Sequence, residues 1–193
     1  MTDLNENSAL IEELVVLVQK GDKDAFSKIY DFFADAVYRY VFFRVNKEDA
    51  DDLIEQVFLR VWENIGKYKK TKDSKFSSWV FRIAHNLVID YYRNNKIKDV
   101  SELDLDIPTM DREHNPLRKT EDKLNILLLR KALNNIKKHY REFLILKFIN
   151  ELSNKEISDL LDKSEGGIRI LQLRALKALK SELVKLGVDK VNF

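Results

Sequence analysis

The sequence predicts an all-α protein made of two small helical domains joined by a flexible linker, and three observations lead to this fold class. Apolar residues recur at intervals of three and four along most of the 193 residues, which is the period of a helix and not of a strand. Most glycines and both prolines fall between these periodic segments. Both prolines lie in 96–120, which separates two groups of periodic segments. We therefore expect an N-terminal domain over 1–95 and a C-terminal domain over 121–193.

Eight helices are predicted between these breaks. Their expected bounds are 8–19, 23–44, 48–65, 76–95, 121–137, 140–149, 154–161 and 165–185. No alternating run of apolar and polar residues is long enough to compete as a strand. The linker 96–120 alternates acidic residues with isolated apolar ones, a composition typical of segments without a packed core.

The composition excludes several classes of site. The chain has no cysteine, so disulfides and thiolate metal sites are excluded. His85, His114 and His139 lie far apart and suggest no ligand set, so we expect neither a metal nor a cofactor. Glu12 and Glu13 interrupt the apolar run near the N-terminus, which argues against a secretory signal or a membrane span. We expect a cytoplasmic protein with no membrane contact of its own.

The charge changes sign along the chain, although the net formal charge is only +2. Counting acidic against basic residues gives −6 for 1–60, +6 for 61–98, −4 for 99–129 and +6 for 130–193. Two basic blocks separated by an acidic one indicate two surfaces that face polyanions. A mosaic of solvated charges is the alternative.

The segment from Ser153 onwards has the signals of a helix-turn-helix. Ser153 followed three residues later by Glu156 is a capping-box pattern at the start of a short helix. Asp162 and the next residue form the predicted turn, because aspartate tolerates the left-handed conformation better than most residues. Ser164 then caps a second helix that carries an acidic residue in its first turn.

The second helix of this motif has two different faces. Its predicted core residues are Ile168, Leu171, Ala175 and Leu179. The opposite side carries Arg169, Ile170, Leu173, Lys177 and Lys180, with Arg174 beside them. Gly166 and Gly167 lie in the first turn, where a missing side chain lets backbone N–H groups approach DNA closely. An ordinary helical hairpin with a solvated basic side is the alternative.

Specific roles follow from these residue types. Arginine reads guanine through two hydrogen bonds, and an apolar side chain such as Ile170 or Leu173 contacts a thymine methyl group. Lys177 is better suited to a phosphate. The helix therefore has the residues of a duplex-reading element.

The helix over 48–65 combines a core stripe with an acidic patch. The core stripe consists of Leu53, Val57, Val61 and Ile65. The outward patch consists of Asp51, Asp52, Glu55 and Gln56. Such a patch suits a protein partner better than a nucleic acid.

The stretch 67–96 is basic and rich in aromatic residues. It has five lysines between positions 67 and 75. In the following helix the core spacing is kept by Phe76, Val80, Ile83, Leu87 and Tyr91. Another side carries Arg82, Asn86, Asp90 and Arg93, with Trp79 at the edge. Cations that follow a backbone and aromatic faces that stack on bases are typical of single-strand binding. A purely structural role for the aromatics is the alternative.

These segments resemble a known family. DDLIEQVFLRVWENIGKY, FSSWVFRIAHNLVIDYYR and the pair LSNKEISDLL and SEGGIRILQLRALKAL are similar to regions 2 and 4 of bacterial sigma-70 factors. More narrowly, they resemble the extracytoplasmic-function (ECF) group, which keeps only those two domains. The resemblance covers 20–95 and 122–184, with the motifs in the family's order.

The resemblance implies a dissociable subunit that directs core RNA polymerase to promoters and catalyses nothing itself. The residues expected to bind the polymerase β′ clamp helices are Asp52, Leu53, Glu55, Gln56 and Phe58. Those expected to recognise and melt the −10 element are Lys69, Lys70, Lys72, Phe76, Trp79, Arg82, Asn86, Asp90 and Arg93. Those expected to read the −35 element as duplex are Ser164, Gly166, Gly167, Arg169, Ile170, Leu173, Arg174 and Lys177. Members of the family are commonly held by an anti-sigma factor, which we expect as a further partner.

Two other functions remain open at this point. A stand-alone helix-turn-helix regulator would bind duplex operators without polymerase and would not use the 67–96 surface. A helical adaptor would bind only protein and would have no salt-dependent affinity for DNA. An enzyme is not indicated, because the sequence has no nucleophile and base pairing, phosphate loop or metal cluster.

Overall fold

The structure is a computed structural model that describes residues 7–71, 75–94 and 116–188. Within these ranges every regular element is helical, which confirms the predicted all-α class. The α-helices are α1 (Ser8–Gln19), α2 (Lys23–Phe42), α3 (Lys47–Asn64), α4 (Phe76–Asn94), α5 (Pro116–Asn135), α6 (Lys138–Leu144), α7 (Asn154–Leu160) and α8 (Glu165–Lys185). A 3₁₀ turn, Ile65–Lys67, extends α3, and a π-helical turn, Ile145–Ile149, extends α6. No helix in the described ranges is long and apolar enough to cross a membrane.

Helices α1 to α4 form the N-terminal domain around an aromatic core. Phe33, Tyr40 and Phe81 have no exposed surface. The rings of Phe33 and Phe76 meet edge to face with centroids 5.7 Å apart, and those of Tyr40 and Phe81 do so at 5.9 Å. Such pairs contribute beyond their buried area, so they fix the spacing of α2 and α4.

The turn between α1 and α2 follows from two adjacent residues. Gly21 has φ of +100°, a left-handed value that glycine adopts without steric cost. The backbone N–H of Asp22 donates to the carbonyl of Leu17 at 3.1 Å, which closes α1. The Asp22 carboxylate then accepts from the backbone N–H groups of Asp24 and Ala25 and begins α2.

Helices α5 to α8 form the C-terminal domain. Its core consists of residues with no exposed surface, among them Ala132, Phe143, Ile145, Leu146, Ile157, Ile168 and Ala175. Helix α8 packs against α5, α6 and α7. The last two helices therefore pack together as predicted, whereas the buried residues of the two domains form one continuous cluster and not two separate cores.

Helix α5 begins earlier than predicted. Residues 116–120, which the sequence assigned to the linker, belong to α5. Pro116 is its first residue, where the missing N–H has no intrahelical partner to lose and the fixed φ suits a helix. The remaining predicted linker residues, 96–115, lie outside the described residues.

The two domains contact each other along one surface, which we call the domain seam. It consists of α2, the turn that follows it and the N-terminal half of α4 on one side, and of α5, α6, its π-helical extension and α7 on the other. The side-chain amide of Asn150 donates to the backbone carbonyl of Ala36 at 2.8 Å. The guanidinium of Arg130 on α5 donates to the carbonyl of Val45 at 3.1 Å. The seam therefore joins residues that are far apart in the chain.

Candidate functional site

Both helices of the helix-turn-helix begin with the predicted side-chain caps. Ser153 Oγ accepts from the backbone N–H of Glu156 at 3.2 Å, and the Glu156 carboxylate accepts from the backbone N–H of Ser153 at 2.8 Å. This reciprocal pair is a capping box. Ser164 Oγ accepts from the backbone N–H of Gly167 at 3.1 Å at the start of α8. The cap predictions are confirmed.

The turn between α7 and α8 depends on Asp162. Its φ is +51°, so it has the left-handed conformation expected from the sequence. The backbone N–H of Lys163 donates to the carbonyl of Ser158 at 3.0 Å, which closes α7 in a Schellman motif. This turn sets the angle at which α8 leaves α7.

Helix α8 separates its core face from a basic outer face as predicted. Its buried residues are Ile168, Leu171, Ala175, Leu179 and Leu183. The outer residues Arg169, Ile170, Leu173, Arg174 and Lys177 are exposed. Leu173 is 73% exposed and Ile170 is 54% exposed, although both are large apolar side chains. The outer face is therefore basic with two apolar points.

The two glycines in the first turn of α8 differ in their surroundings. A Cβ atom at Gly166 would meet nothing within 4 Å. A Cβ atom at Gly167 would lie 3.2 Å from Ser164 Oγ, which is tighter than ordinary contact. A side chain at Gly167 would therefore require the Ser164 hydroxyl to shift by a few tenths of an ångström. Close approach of DNA remains a prediction for both glycines.

The predicted polymerase-binding residues on α3 divide into two groups. Asp52, Glu55 and Gln56 are exposed and point away from the core. Leu53 is 5% exposed and Phe58 is 6% exposed. Burial leaves these two apolar residues almost no surface in this structure, so their contact with polymerase remains a prediction. Both pack the inner side of α3.

Two exposed apolar residues on α3 were missed. Leu59 is 56% exposed and lies one helical turn after Glu55. Trp62 is 42% exposed, and its ring meets Phe26 edge to face at 4.8 Å. Leu59 follows Glu55 by four residues and Trp62 follows Leu59 by three, and this helical spacing is the signal that could have found them. We call Asp52, Glu55, Gln56, Leu59 and Trp62 the α3 ridge.

Phe76, which the sequence predicts to contact DNA, is buried in this structure. It is 1% exposed, and its ring packs against Tyr68 and Trp79 at centroid distances of 5.0 and 5.3 Å. Its backbone N–H donates to the carboxylate of Glu12 at 3.2 Å. Phe76 therefore belongs to the core, as its helical spacing alone indicated.

Trp79 lies at the edge of the aromatic core, as predicted. It is partly buried, and it lines a cavity of about 340 Å³ between α3 and α4. Asn86 and Asp90 line the same cavity from α4, and Arg60 and Lys67 line it from α3 and its extension. The cavity thus has one aromatic wall, hydrogen-bonding groups and two cations. Arg60 is absent from the residues predicted to contact the −10 element.

The start of the lysine-rich loop is held by α1. Lys69 and Lys70 are exposed, whereas Lys72 lies outside the described residues. The side-chain amide of Gln19 donates to the carbonyls of Ile65 and Tyr68, both at 2.9 Å. The Tyr68 hydroxyl donates to Glu12 at 3.1 Å. Burial, together with the Glu12 carboxylate, raises the pKa of Tyr68, so it remains a neutral donor.

The two arginines of α4 have different partners. Arg93 pairs with Asp90 at 3.0 Å on the exposed surface. Arg82 Nη2 donates to the backbone carbonyl of Asp159 on α7 at 2.9 Å. One predicted −10 residue therefore contacts the other domain.

Comparison with known proteins identifies the family. The models for "Sigma-70 region 2" and "Sigma-70, region 4" match residues 29–97 and 126–179. The ECF RNA polymerase sigma factor SigM of Bacillus subtilis is 31% identical over 165 residues, which cover 84% of this chain and 96% of that protein. The chain belongs to the sigma-70 family. Within it, the similarity is to the ECF group, so the protein is an RNA polymerase sigma factor that directs initiation at promoters.

Two further proteins are similar to this sigma factor. The ECF sigma factor BldN of Streptomyces coelicolor is 32% identical over 177 residues, and these cover 91% of this chain but 66% of that protein. The structure of the sigma factor RpoE with the anti-sigma factor NepR, from Bartonella quintana, matches with a TM-score of 0.67 at 19% identity. That match covers 88% of this chain and all of the other. At this identity it shows a common fold.

Proposed function

We propose that this sigma factor assigns three tasks to three separate surfaces: polymerase docking to the α3 ridge, −10 recognition to the loop and cavity before and beside α4, and −35 recognition to α8. The observation that carries the proposal is the presence of one DNA-suited surface on each domain. A regulator that bound only duplex operators would need α8 alone. The cavity beside Trp79 has no role in such a protein.

The −35 task suits the outer face of α8. Its exposed cations can neutralise phosphates, and Arg169 can donate two hydrogen bonds to a guanine. Arg169 lies 3.8 Å from Glu165, a loose exposed pair that DNA can replace at little cost. Ile170 and Leu173 cannot form hydrogen bonds, so they suit the one apolar group on the groove floor, the thymine methyl.

The −10 task suits the cavity between α3 and α4. An extruded base loses its stacking, at a cost of a few kcal/mol, and needs a replacement surface. The exposed side of Trp79 offers an aromatic face, while Asn86 and Asp90 offer donors and acceptors for a base edge. Arg60 and Lys67 supply positive charge for the adjoining phosphates, and Lys69 and Lys70 continue that charge. We therefore add Arg60 to the predicted set and remove Phe76.

The polymerase task suits the α3 ridge, because it combines carboxylates with two exposed apolar side chains. Protein interfaces typically join an apolar centre that includes aromatics to a polar rim. Leu59 and Trp62 provide the apolar centre, and Asp52 and Glu55 provide the polar rim. The partner surface is expected to be basic around an apolar depression, and we assign it to the β′ clamp helices.

Three further parts of the proposal concern partners and location. An anti-sigma factor is the expected inhibitor, in line with the RpoE and NepR complex from Bartonella quintana. The sigma factor has no catalytic activity of its own, since polymerase carries out the chemistry. It acts in the cytoplasm, where it meets core polymerase and DNA.

The test is transcription in vitro with purified core polymerase on a genomic DNA library, followed by start-site mapping. We expect starts at a limited promoter set that depend on the chain. Arg169→Ala should abolish these starts while core binding persists, whereas Lys185→Ala, at the far end of α8, should leave them unchanged. Duplex binding without polymerase, together with no effect on start sites, would instead support a stand-alone regulator.

A further inference from the structure

Glu12 on α1 is a buried acidic residue that belongs to none of the three proposed binding surfaces. It is 8% exposed, whereas the next residue, Glu13, is exposed to solvent. A buried carboxylate is unfavourable unless hydrogen bonds replace the water that it has lost. The groups that donate to Glu12 therefore show what this buried charge stabilises.

One oxygen of this carboxylate joins two segments that are separate in the chain. Glu12 Oε1 accepts from the hydroxyl of Tyr68 at 3.1 Å and from the backbone N–H of Phe76 at 3.2 Å. Tyr68 follows the 3₁₀ turn that extends α3, and Phe76 is the first residue of α4. The first N–H groups of a helix have no partner within it, and a carboxylate there also interacts favourably with the helix dipole. Glu12 thus holds the end of this turn against the start of α4.

The two residues held by Glu12 are the inner neighbours of Trp79. The ring centroid of Trp79 lies 5.5 Å from that of Tyr68 and 5.3 Å from that of Phe76. The rings of Tyr68 and Phe76 meet edge to face at 5.0 Å, and both residues are buried. Aromatic rings at such distances prefer defined relative orientations. The Trp79 ring is therefore oriented by two rings that one carboxylate fixes.

A second residue of α1 holds the neighbouring wall of the cavity between α3 and α4. The side-chain amide of Gln19 donates to the carbonyls of Ile65 and Tyr68, both at 2.9 Å. These two carbonyls lie at the start of the 3₁₀ turn and just after its end, and the turn includes Lys67, which lines the cavity. The hydrogen bonds of Gln19 therefore fix the backbone that carries one of the cavity's cations.

We propose that Glu12 and Gln19 are positioning residues for −10 recognition: from outside the cavity, they hold Trp79 and Lys67 in the arrangement that accepts an extruded base. This inference rests on the proposed function of that cavity. Ordering the surface only when the base arrives would add to the cost of unstacking. Without Glu12, the Tyr68 hydroxyl and the Phe76 N–H lose their acceptor, so the rings against Trp79 are held less firmly.

The test compares variants that differ at the carboxylate. Glu12→Ala removes the acceptor, whereas Glu12→Gln keeps a carbonyl oxygen that can accept from both donors. Glu13→Ala removes the same charge from the adjacent exposed position and is the matched control. Tyr68→Phe removes one of the two hydrogen bonds and keeps the ring, so it replaces Glu12→Ala if that variant does not fold. Circular dichroism and thermal unfolding establish that each protein is folded.

Kinetic measurements on a mapped promoter separate docking from strand opening. Holoenzyme with each variant gives the affinity of the closed complex and the rate at which it converts to the open complex. We expect Glu12→Ala to slow this conversion about tenfold, the size expected for lost buried hydrogen bonds. Core binding and closed-complex affinity should not change. Glu12→Gln should restore most of the rate, and Glu13→Ala should match the wild type.

Fluorescence of the free chain tests the positioning directly. The chain has two tryptophans, so Trp62→Phe leaves Trp79 as the only one. In this background, Glu12→Ala should increase quenching of Trp79 by acrylamide and lower its anisotropy, because the ring is held less firmly. Glu12→Gln and Glu13→Ala should leave both quantities unchanged.

Trp79→Ala separates this inference from the proposed function. If Trp79→Ala slows strand opening while the folded Glu12→Ala protein opens promoters at the wild-type rate, only the positioning role is wrong. Unchanged Trp79 fluorescence in Glu12→Ala, or a loss of core binding as large as the loss of opening, would also overturn it. If Trp79→Ala opens promoters as fast as the wild type, the proposed function of the cavity is wrong instead.

Discussion

Arg44, in the turn after α2, and Glu142 on α6 lie 2.8 Å apart, although 98 residues separate them in the chain. Burial on its own raises the pKa of Glu142, but Arg44 and His85 outweigh it and lower the pKa from 4.5 to about 2. The charged and titratable groups around this carboxylate are Tyr40, Arg44, His85, Tyr92, Lys138 and Arg141. Ionised Glu142 therefore links the two domains at neutral pH.

Acid should lower the free energy of unfolding through protonation of Glu142. A carboxylate whose pKa is lowered on folding contributes its full stabilisation above its ordinary pKa and loses it as the pH falls towards the folded value. Between pH 4.5 and about 2 the free energy of unfolding should therefore fall by up to about 3 kcal/mol from this group. Urea unfolding over this interval measures it, with Glu142→Gln as the comparison. An equally steep acid loss in Glu142→Gln would contradict the assignment.

Leu173 should read a thymine in the −35 element. We expect Leu173→Ala to weaken holoenzyme binding by a factor of about 5 to 10, the size of a lost apolar contact of about 1 kcal/mol. Deoxyuridine lacks the methyl group, so replacing the contacted thymine should weaken binding by wild type and not by Leu173→Ala. Electrophoretic assays on a mapped promoter measure both. Val184 is also exposed on α8, so Val184→Ala is the control. If Leu173→Ala still binds the deoxyuridine promoter more weakly than the thymine promoter, another residue contacts the methyl group.

The α3 ridge should be required for polymerase binding and not for the fold. Asp52→Lys combined with Gln56→Ala should abolish core binding, and Leu59→Ala should weaken it by about 1 to 2 kcal/mol, as expected for a central apolar contact. Each of these residues is exposed, so thermal unfolding should change little. Titration of labelled core polymerase measures the affinity, with Asp31→Lys on exposed α2 as the charge control. Wild-type affinity in the double variant would move the docking surface off α3.

Trp79 should be needed for strand opening but not for docking. Trp79→Ala removes an aromatic face worth about 1–3 kcal/mol per stacked base, so the melted region should not form. Trp79→Phe keeps an aromatic ring and should retain part of the activity. Permanganate reactivity of promoter thymines measures melting. Trp62→Ala is the comparison variant, because it should impair core binding, whereas Trp79→Ala should leave core binding intact. Full melting by a folded Trp79→Ala holoenzyme would exclude the cavity.

Gly166→Ala should separate stability from DNA binding. The site is open, so alanine should raise helix stability by up to about 1 kcal/mol. If the backbone of this turn approaches DNA, the same methyl group should reduce −35 binding. Thermal unfolding and promoter binding of one variant test both effects. Gly167→Ala is the contrasting variant, because its Cβ atom would lie 3.2 Å from Ser164 Oγ. Unimpaired promoter binding by Gly166→Ala would contradict the prediction that the backbone of this turn approaches DNA closely.

Local interactions were the part of the structure that the sequence allowed to be predicted. The Ser153 and Glu156 box and the left-handed Asp162 involve groups no more than a few residues apart, so residue types and spacing determine them. The same reasoning located the bounds of α1 and α8. It placed α5 too late, because Pro116 was treated as a break, although proline also starts helices.

The proposed binding surfaces were harder to predict, because the spacing of apolar residues shows which side of a helix is apolar but not how deeply each residue is buried. Phe58 packs against Tyr30 and Phe76 packs against Phe33, and these contacts with a distant helix are not visible in the local pattern. Leu59 and Trp62 remain exposed, since the contact of Trp62 with Phe26 covers only part of its ring. The contacts of the domain seam could not be predicted from the sequence, because they join residues that are far apart in the chain.

The two oxygens of Glu156 have separate duties. Oε2 accepts from the backbone of Ser153 within its own helix, while Oε1 faces Ser78 across the seam. The capping box of α7 and its contact with α4 thus use different atoms of one side chain, so neither contact competes with the other.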